Sequence, residues 1–419
     1  MKPSPHERAL ERLHTLPWAA VLDIIPQVSA ALGPMLEGMP AEKTLDRLLR
    51  ALPDLTALQR KAVAESVFGV GLWRRRLKAE LGLSSPTPMQ LLASLLRDLG
   101  GMLDVEPLFG WEKGTLPRAT TPPASLADRY SLPDWLAETL QREVGDDAPA
   151  LADALNLPGP ICIRANTARV HRDALARQLI ALNLEVMPTR YAAHGLVVTS
   201  PRPNIYGLRP FQEGLFEVQD EGSQLLAEMV SPQPGEEVLD FCAGAGGKTL
   251  ALAAMLGKEG KVHAYDVDRD AMERLRRRVE RAQADNVAIH HPLPEGRTFD
   301  AVLVDAPCSE LGALRRGPDK RFLIDVASLA EWPRKQLAIL NTAKAYVRPG
   351  GRLIYATCTF ATEENEHVAR TFEAGNRSFV RQRPRLSNDV LTREGFLRTY
   401  PHRHQTDGFF AATWCITRA

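Results

Sequence analysis

The chain has few cysteines and almost no net charge, and each shortage excludes a class of protein. Five cysteines occur in 419 residues, at positions 162, 242, 308, 358 and 415. Their number is odd and they form no closely spaced pairs, which argues against a disulfide framework and against a zinc site. The formal net charge is +1, so any surface for nucleic acid must come from local patches such as Arg274 to Arg278 or Arg315 and Arg316.

Long apolar runs are also scarce. The N-terminus carries charged residues throughout, and we find neither a secretory signal nor an apolar run of membrane-spanning length. We therefore expect a cytoplasmic monomer that contains no membrane segment and no metal ion. A chain of 419 residues is long enough for two or three domains.

The hydrophobic pattern changes along the chain in a way that predicts three parts. Residues 1–115 repeat apolar side chains at helical spacing and predict an all-helical domain. Within it, Thr56 to Leu77 predicts an amphipathic helix that ends in a basic run, either a solvated helix end or an RNA-facing patch. Prolines gather at 114–127, which predicts a linker. Residues 128–215 predict a small α+β module. Within the last part, 216–419, βαβ units from Val238 to Cys358 predict an open parallel sheet.

A glycine-rich turn follows a short apolar segment at Val238-Leu-Asp-Phe-Cys-Ala-Gly-Ala-Gly-Gly-Lys-Thr249. Glycines let the backbone turn sharply and let a ligand approach it closely. A dinucleotide fingerprint would need a glycine at Thr249, and a phosphate loop would need one at Cys242. A nucleoside cofactor such as S-adenosylmethionine therefore fits better than NAD or ATP, and an ordinary tight turn is the alternative.

An acidic residue marks the end of the next predicted strand. Lys261-Val-His-Ala-Tyr-Asp-Val267 reads as this strand, and Asp266 stands near its carboxyl end. A carboxylate at that position can accept hydrogen bonds from the hydroxyls of a ribose.

Two cysteines follow the carboxyl ends of neighbouring predicted strands. Cys308 follows a strand that ends in Asp305, and Cys358 follows the next strand. Because ligands bind outside these strand ends, both thiols and the glycine turn should meet in one crevice. Helix N-termini and Lys248 could stabilise thiolates there, which favours nucleophilic catalysis over simple packing. Cys162, Cys242 and Cys415 are assigned to packing.

Several motifs together resemble a known family. They are Cys242-Ala-Gly-Ala-Gly-Gly-Lys-Thr249, Asp305-Ala-Pro-Cys-Ser309, Thr357-Cys-Thr359, Phe211-Gln-Glu-Gly-Leu-Phe-Glu-Val-Gln-Asp-Glu-Gly-Ser-Gln224 and Asp407-Gly-Phe-Phe410. They are similar to the Fmu/Sun family of RNA (cytosine-5)-methyltransferases over most of residues 130–419. The segment from Thr56 to Leu77 resembles a late helix of a NusB-type domain, as in the branch of small-subunit ribosomal RNA methyltransferases B.

The resemblance implies a multidomain fold. Its parts are an all-α NusB-like RNA-binding domain (1–115), an α+β RNA-binding subdomain (128–215) and a Rossmann-like methyltransferase domain (216–419). It also implies RNA as partner and S-adenosylmethionine as cofactor. The cofactor would be bound by Cys242, Ala243, Gly244, Ala245, Gly246, Gly247, Lys248, Asp266 and Asp305.

The resemblance also implies a role for each catalytic residue. Cys358 resembles the nucleophile that adds to C6 of cytosine, and Cys308 the cysteine that assists breakdown of the adduct. Asp305 would hold the cytosine edge, and Lys248 would lie beside the reacting atoms. Because C5 is inaccessible in a stacked base, the cytosine must be splayed out or single-stranded.

The chain departs from the family pattern at three places. Ala245 stands where proline is usual, Glu310 stands where glycine is usual, and residues 287–296 are short and lack the aspartate that grips adenine. Two other functions stay open: a non-catalytic RNA-binding or ribosome-assembly protein on the same scaffold, and a methyltransferase that acts on transfer RNA.

Overall fold

The computed structural model describes residues 10–417 apart from positions 12, 17, 201, 202 and 294. The chain divides into two compact units. One, here the helical unit, contains residues 1–158 and 314–326; the other, here the α/β unit, contains residues 159–313 and 327–419. The start of the predicted helical domain, the end of the predicted methyltransferase domain and Pro294 lie outside the described residues.

The helical unit packs its helices around one apolar core. Val28, Leu32, Val67 and Leu96 are completely buried in that core. The helices are α1 (Ile25–Leu36), α2 (Ala41–Ala51), α3 (Ala57–Leu81), α4 (Pro88–Ser94), α5 (Leu126–Tyr130), α6 (Asp134–Val144) and α7 (Ala148–Asn156). Turns of 3-10 helix occupy Trp18–Ile24, Glu106–Phe109 and Gly145–Asp147, and Leu95–Leu99 forms a π-helical turn after α4.

One apolar segment of the helical unit corrects the expectation drawn from hydropathy. Trp18–Leu36 spans 19 residues with a mean hydropathy of 1.5, long and apolar enough by length and composition to cross a membrane. Its side chains Val21, Val28 and Leu32 are fully buried in the core of the helical unit. Core helices of soluble proteins pass the same test of length and composition, so the segment is weak support for a membrane span.

The long helix α3 confirms the helix predicted from Thr56 onward. Thr56 and Gln59 form a capping box that satisfies backbone groups at its start. The basic run near its end makes contacts within the helical unit. Arg74 stacks its guanidinium 3.7 Å from the ring centroid of Phe322, and Arg75 pairs with Asp128 and Asp134 at 2.7 Å each.

A segment from the second half of the chain completes the helical unit. Residues 314–326 belong to it although they follow strands of the α/β unit in sequence. Asp319 Oδ2 accepts a 2.8 Å hydrogen bond from the Ala41 backbone N–H at the start of α2. The fully buried Arg321 donates to Asn156 Oδ1 at 2.7 Å and to the Leu155 carbonyl at 3.0 Å.

The α/β unit begins with a four-stranded antiparallel sheet. Its strands are β1 (Ile161–Ala165), β2 (Val186–Pro188), β3 (Gly195–Val198) and β4 (Phe216–Val218), in the order β2-β3-β1-β4. Helix α8 (Arg172–Ala181) buries Leu175 and Leu179 with this sheet. Asn166, next to β1, donates to the carbonyls of Gly214 and Ala282 at 3.0 Å each, which ties this module to the main sheet's helices.

The main sheet has eight strands. They are β5 (Glu237–Asp240), β6 (Lys261–Tyr265), β7 (Val287–His290), β8 (Phe299–Asp305), β9 (Val347–Thr357), β10 (Phe379–Gln382), β11 (Leu397–Arg398) and β12 (Phe410–Ile416). The order is β10-β12-β9-β8-β5-β6-β7, with β11 beside β12. Helix α9 (Arg209–Gln212) precedes β4, and its Phe211 packs against the core of the four-stranded sheet. The later helices are α10 (Glu221–Val230), α11 (Gly247–Leu256), α12 (Arg269–Ala282), α13 (Val326–Leu329), α14 (Trp332–Ala343), α15 (Glu366–Gly375) and α16 (Pro401–His404).

The topology of the main sheet places the ligand crevice. β5 lies between β6 and β8 and is parallel to both. The strand order reverses at β5, and in such sheets ligands bind outside the carboxyl ends of the strands at that point. The parallel sheet predicted from Val238 to Cys358 is confirmed by β5 to β9. Beyond Cys358 the sheet continues with antiparallel strands, because β12 pairs antiparallel with β9 and β10 pairs antiparallel with β12.

The compact units group the chain differently from the proposed three-part division. Helices α5 to α7, up to Asn156, belong to the helical unit, whereas the four-stranded sheet belongs to the α/β unit. Asn156 explains part of this grouping, since its side chain donates to the Tyr130 carbonyl at 2.9 Å and accepts from Arg321. The division at 115, 128 and 215 stays a prediction.

Candidate active site

The glycine-rich turn joins β5 to α11 and is held open by its backbone geometry. Gly244 and Gly246 have φ angles of 52° and 86°, in the left-handed region that favours glycine. A side chain at Gly246 would collide with Leu275, which lies 2.1 Å from an ideal Cβ position. At Gly244 the same position meets no atom within 4 Å, so space above the turn is free for a ligand.

Asp266 lies beside this turn, at the end of β6. Its Oδ2 accepts a 2.8 Å hydrogen bond from the Gly244 backbone N–H. Its Oδ1 accepts from the Asp268 N–H at 2.9 Å. These bonds fix the carboxylate at the carboxyl end of β6, the position from which an acidic side chain binds ribose hydroxyls in related sheets.

Lys248 and Asp305 form an ion pair between the first turn of α11 and the end of β8. The Lys248 Nζ lies 2.6 Å from Asp305 Oδ2, and the lysine side chain is only 11% exposed. Burial lowers the pKa of Lys248, but Asp305 and Cys358 outweigh burial and the pKa is raised. Lys248 therefore carries a positive charge that is already paired.

The two predicted catalytic thiols meet. The Sγ atoms of Cys308 and Cys358 lie 3.3 Å apart. Cys308 is buried and Cys358 is partly exposed. The register of β8 and β9, with Asp305 opposite Ala356, brings both cysteines just beyond the same edge of the sheet.

The charge state of Cys358 differs from the expectation of a stabilised thiolate. The hydrogen bond with Cys308, burial and the negative charges of Asp305 and Glu310 together raise the pKa of Cys358 well above its ordinary value. The charge of Lys248 does not outweigh these effects, because Lys248 is paired with Asp305 at 2.6 Å. The raised pKa favours the protonated thiol of Cys358 at neutral pH.

A second buried acid supports the turn from below. Asp240, the last residue of β5, accepts a 2.7 Å hydrogen bond from Thr249 Oγ1. Burial raises its pKa to about 7. Its Oδ1 is buried without a hydrogen-bond partner, which is consistent with a proton on this carboxyl group.

Sequence reasoning missed the residues that hold the loop carrying Cys308. Glu364 Oε2 accepts hydrogen bonds from the Ser309 N–H at 3.0 Å and from Gln336 Nε2 at 2.8 Å. Gln336 also donates to the Pro307 carbonyl at 3.1 Å. No motif marks Glu364, and only its burial in the fold separates it from its exposed neighbour Glu363.

Glu310 stands where the family pattern usually has glycine. It has a φ angle of 56°, so the family's usual glycine corresponds to a left-handed backbone position in this chain. Two residues later, the Gly312 N–H donates to the Cys358 carbonyl at 3.0 Å. A side chain on Gly312 would meet the Gly408 carbonyl oxygen at 2.0 Å, so this glycine allows the loop of Cys308 to pack closely.

The two other quoted motifs also meet within the α/β unit. Asp220 Oδ1 accepts from the Gly222 N–H at 2.8 Å and from the Asp407 N–H at 3.1 Å. An ideal Cβ on Gly222 would lie 2.4 Å from the Phe409 ring. These contacts stabilise the site indirectly, since Phe409 lies 5.9 Å from Lys248 Nζ.

The predicted basic patch from Arg274 to Arg278 is exposed at Arg274, Arg276 and Arg277, whereas Arg278 is partly buried. Arg278 pairs with Glu217 at 2.8 Å and donates to the Ala245 carbonyl at 2.8 Å. Arg276 and Arg277 share Glu273, which reduces the positive charge of this patch. Arg278 therefore supports the glycine turn from α12, and a nucleic-acid role for the exposed arginines of this patch stays a prediction.

The geometry fits a nucleoside cofactor at the glycine turn. The turn combines the open space at Gly244, the fixed carboxylate of Asp266 and the start of α11 at Gly247. The thiols of Cys308 and Cys358 lie at the same edge of the sheet, beyond the ends of β8 and β9. In the described part of the chain no three His, Cys, Asp or Glu side chains are arranged to hold a metal ion.

Comparison with known proteins agrees with this arrangement. A family model described as 16S rRNA methyltransferase RsmB/F matches residues 227–415. A second, described as the ferredoxin-like domain of RsmF/B-like methyltransferases, matches residues 132–204. The probable ribosomal RNA small subunit methyltransferase B of Synechocystis sp. is 32% identical over 301 residues, 69% of this chain and 67% of that protein. The Bacillus subtilis protein of the same name is 32% identical over 302 residues, with the same coverage.

Solved structures share the fold. The protein PH0851 has 25% sequence identity and a TM-score of 0.76 over 96% of this chain and 99% of its own. A methyltransferase homolog protein from Pyrococcus horikoshii has 26% identity and a TM-score of 0.61 over 70% of this chain and 97% of its own.

Fold and site together define an S-adenosylmethionine-dependent methyltransferase with a Rossmann-like sheet, a separate ferredoxin-like domain and a helical N-terminal region. The chain belongs to the 16S rRNA methyltransferase RsmB/F family. The predicted fold class, the enzyme class and the cofactor are thereby confirmed, and the roles of individual site residues stay predictions.

Proposed function

We propose that this protein methylates C5 of a cytosine in small-subunit ribosomal RNA through a covalent adduct with Cys358. The observation that carries the proposal is the 3.3 Å approach of the Cys308 and Cys358 thiols beside the Lys248–Asp305 ion pair. A scaffold that only bound RNA would need neither the thiol pair nor the buried ion pair, which favours catalysis over the binding alternative.

Cys358 acts as the nucleophile. Its sulfur forms a bond to C6, and the C5–C6 double-bond electrons shift so that C5 becomes nucleophilic and N3 gains a proton. Asp305 holds the base edge and relays this proton from the thiol to N3. The raised pKa of Cys358 means that the thiol keeps its proton until a base is present, which limits side reactions of a free thiolate.

S-adenosylmethionine, when bound, supplies a methyl group on a sulfonium centre that is open to attack by C5. The glycine turn and Asp266 position its nucleoside, and Lys248 adds positive charge near the base. Cys308 or a group beside it then removes the proton from C5. The electrons of that C–H bond restore the C5–C6 double bond and expel the Cys358 sulfur, to which Asp305 returns the proton from N3.

Replacement of Cys358 tests the nucleophile. We expect Cys358→Ala to lower methyl transfer by at least about 10³-fold, because the sulfur proposed to bond to C6 is removed. Binding of S-adenosylhomocysteine, measured by calorimetry, should stay within about twofold of the unchanged protein. Cys415→Ala in β12 is the matched control and should keep full activity. An active Cys358→Ala protein would refute the covalent route.

Replacement of Cys308 tests the release step. We expect Cys308→Ser to accumulate a protein–RNA adduct that survives denaturation, because loss of the C5 proton becomes slow while Cys358 still adds. A denaturing gel with labelled RNA reads out the adduct. The double variant Cys308→Ser with Cys358→Ala should form none. If Cys308→Ser turns over normally without an adduct, its release role is wrong.

Bacterial relatives of this chain are named for ribosomal RNA of the small subunit, which supports that substrate over transfer RNA. We also propose that the helical N-terminal part is a NusB-like RNA-binding domain (1–115) and that residues 128–215 form a second RNA-binding part ahead of the catalytic domain (216–419). Mapping 5-methylcytosine in total RNA after incubation with labelled cofactor tests the substrate. Label in transfer RNA alone would favour the alternative.

A further inference from the structure

We infer that the purine end of the cofactor is recognised by His291, through a donated hydrogen bond to a ring nitrogen, and not by a carboxylate that accepts from the 6-amino group. The inference rests on the cofactor position proposed above. It concerns the one stretch, residues 287–296, where this chain lacks the aspartate expected from its relatives.

Strand order fixes where the purine lies. The strands run β9-β8-β5-β6-β7 across the sheet. The thiols follow β8 and β9, the glycine turn follows β5, and Asp266 follows β6. A ligand with its sulfonium group at the thiols and its ribose at Asp266 therefore extends its base over the end of β7.

His291 stands at that end. Tyr265 of β6 pairs with His290 of β7, so Asp266 and His291 are the next residues on two neighbouring strands. His291 is exposed, and its ring lies 6.4 Å from that of Tyr265 at an interplanar angle of 17°. Val267, next to Asp266, is 78% exposed and offers an apolar surface to the face of a base.

The hydrogen bond to His291 determines what the ring can offer. Arg269 Nε lies 3.1 Å from His291 Nε2. A guanidinium only donates, so Nε2 accepts and the proton of the neutral imidazole lies on Nδ1. His291 thus presents a donor, and the complementary purine atoms are the ring nitrogens, because the 6-amino group is itself a donor.

Among the carboxylates near His291, one could recognise the purine in its place. Asp268 Oδ1 accepts from the backbone N–H groups of Asp270 and Ala271 at the start of α12, and Asp266 is fixed at Gly244. Glu295 is exposed in the same connection as His291. A carboxylate at Glu295 would read the 6-amino group, so Glu295→Gln is the matched control variant.

Calorimetry on the whole chain distinguishes recognition of a purine ring nitrogen by His291 from recognition of the 6-amino group by a carboxylate. The ligands are S-adenosylhomocysteine and its analogue with unsubstituted purine in place of adenine, which keeps the ring nitrogens and lacks the 6-amino group. We expect the unchanged protein to bind both within about threefold. His291→Ala should weaken binding of both ligands by about fivefold to tenfold, the effect of one hydrogen bond. His291→Gln should recover part of the lost affinity, because its amide is a donor. Glu295→Gln should change the affinity for neither ligand.

Other results overturn the inference. They are a loss of more than about tenfold for the purine analogue in the unchanged protein, a His291→Ala protein that binds normally, and a Glu295→Gln protein that binds S-adenosylhomocysteine more weakly than the unchanged protein does. Thermal unfolding of each variant confirms folding. Binding is measured without RNA, so a failed methyl transfer does not affect the result, whereas no binding by the unchanged protein would refute the proposed cofactor site together with this inference.

Discussion

At the scale of single residues, the surroundings of Cys358 favour its protonated thiol. Cys358 is hydrogen-bonded to Cys308, partly buried and close to the charge of Asp305, and all three raise its pKa. The positive charge that could stabilise its thiolate is paired with Asp305. A cytosine bound to Asp305 would reduce the effect of the Asp305 charge on Cys358 and would also weaken the pairing of Lys248 with Asp305. Deprotonation of the thiol would thereby be linked to binding of the base.

This account predicts a gain in thiol reactivity from loss of Asp305. Asp305→Asn removes a negative charge beside Cys358 and releases Lys248, so the pKa of Cys358 should fall. We expect alkylation of Cys358 by iodoacetamide at pH 8 to become about tenfold faster, corresponding to about one unit of pKa, while methyl transfer is lost. Mass spectrometry identifies the labelled cysteine.

Glu310→Gln is the control for that experiment, because Glu310 is the smallest of the named contributors to the raised pKa. It should accelerate alkylation less than Asp305→Asn does. Equal alkylation rates in the unchanged protein and in Asp305→Asn would mean that Asp305 does not control the thiol.

At the scale of elements, β5 carries a buried acid whose proton affects stability. The pKa of Asp240 is about 7 in the folded protein, against about 3.9 in an unfolded chain. Between these values the unfolded state loses the proton and the folded state keeps it, so raising the pH from 4 to 7 destabilises the fold. Above pH 7 Asp240 is ionised in both the folded and the unfolded state, so the loss of stability stays constant.

Asp240→Asn should remove this dependence. The amide keeps an oxygen for Thr249 Oγ1 and cannot ionise, so we expect a gain of about 2 kcal/mol in the free energy of unfolding at pH 8 and a much smaller gain at pH 4. Denaturant titrations at both pH values measure it. Asp173→Asn on α8, where the side chain is 73% exposed, should have no such effect. Parallel pH profiles of Asp240→Asn and the unchanged protein would contradict the prediction.

The strands and turns of the α/β unit also show which features of the site can be predicted from the sequence. Strand ends are local features, so Asp266, Asp305, Cys308 and Cys358 could be placed on one sheet edge from apolar runs alone, and the structure brings the two thiols together. Glu364 could not be found, because its role depends on a turn that returns it to Ser309. The antiparallel β12 was also missed, since pairing direction depends on the path of the chain and not on strand composition.

At the scale of the whole molecule, the helical unit depends on a segment that is distant in sequence. Arg321 is fully buried and its guanidinium binds Asn156 and the Leu155 carbonyl. Burial lowers the pKa of Arg321 to about 9, and Asp319 partly offsets that effect and also receives the Ala41 N–H. A composition-based boundary cannot detect this arrangement, because residues 314–326 read as a loop between strands of the α/β unit.

Loss of that segment's anchor should therefore unfold the helical unit first. We expect Arg321→Ala to lower its stability by about 3 kcal/mol, because a buried cavity forms and two acceptors lose their donor. Tryptophan fluorescence of Trp73, which is buried in the unit, can follow the transition in variants with the other tryptophans replaced. Asp46→Ala removes the exposed pair with Arg50 and should cost well under about 1 kcal/mol. Equal losses in the two variants would show that residues 314–326 are not an integral part of the helical unit.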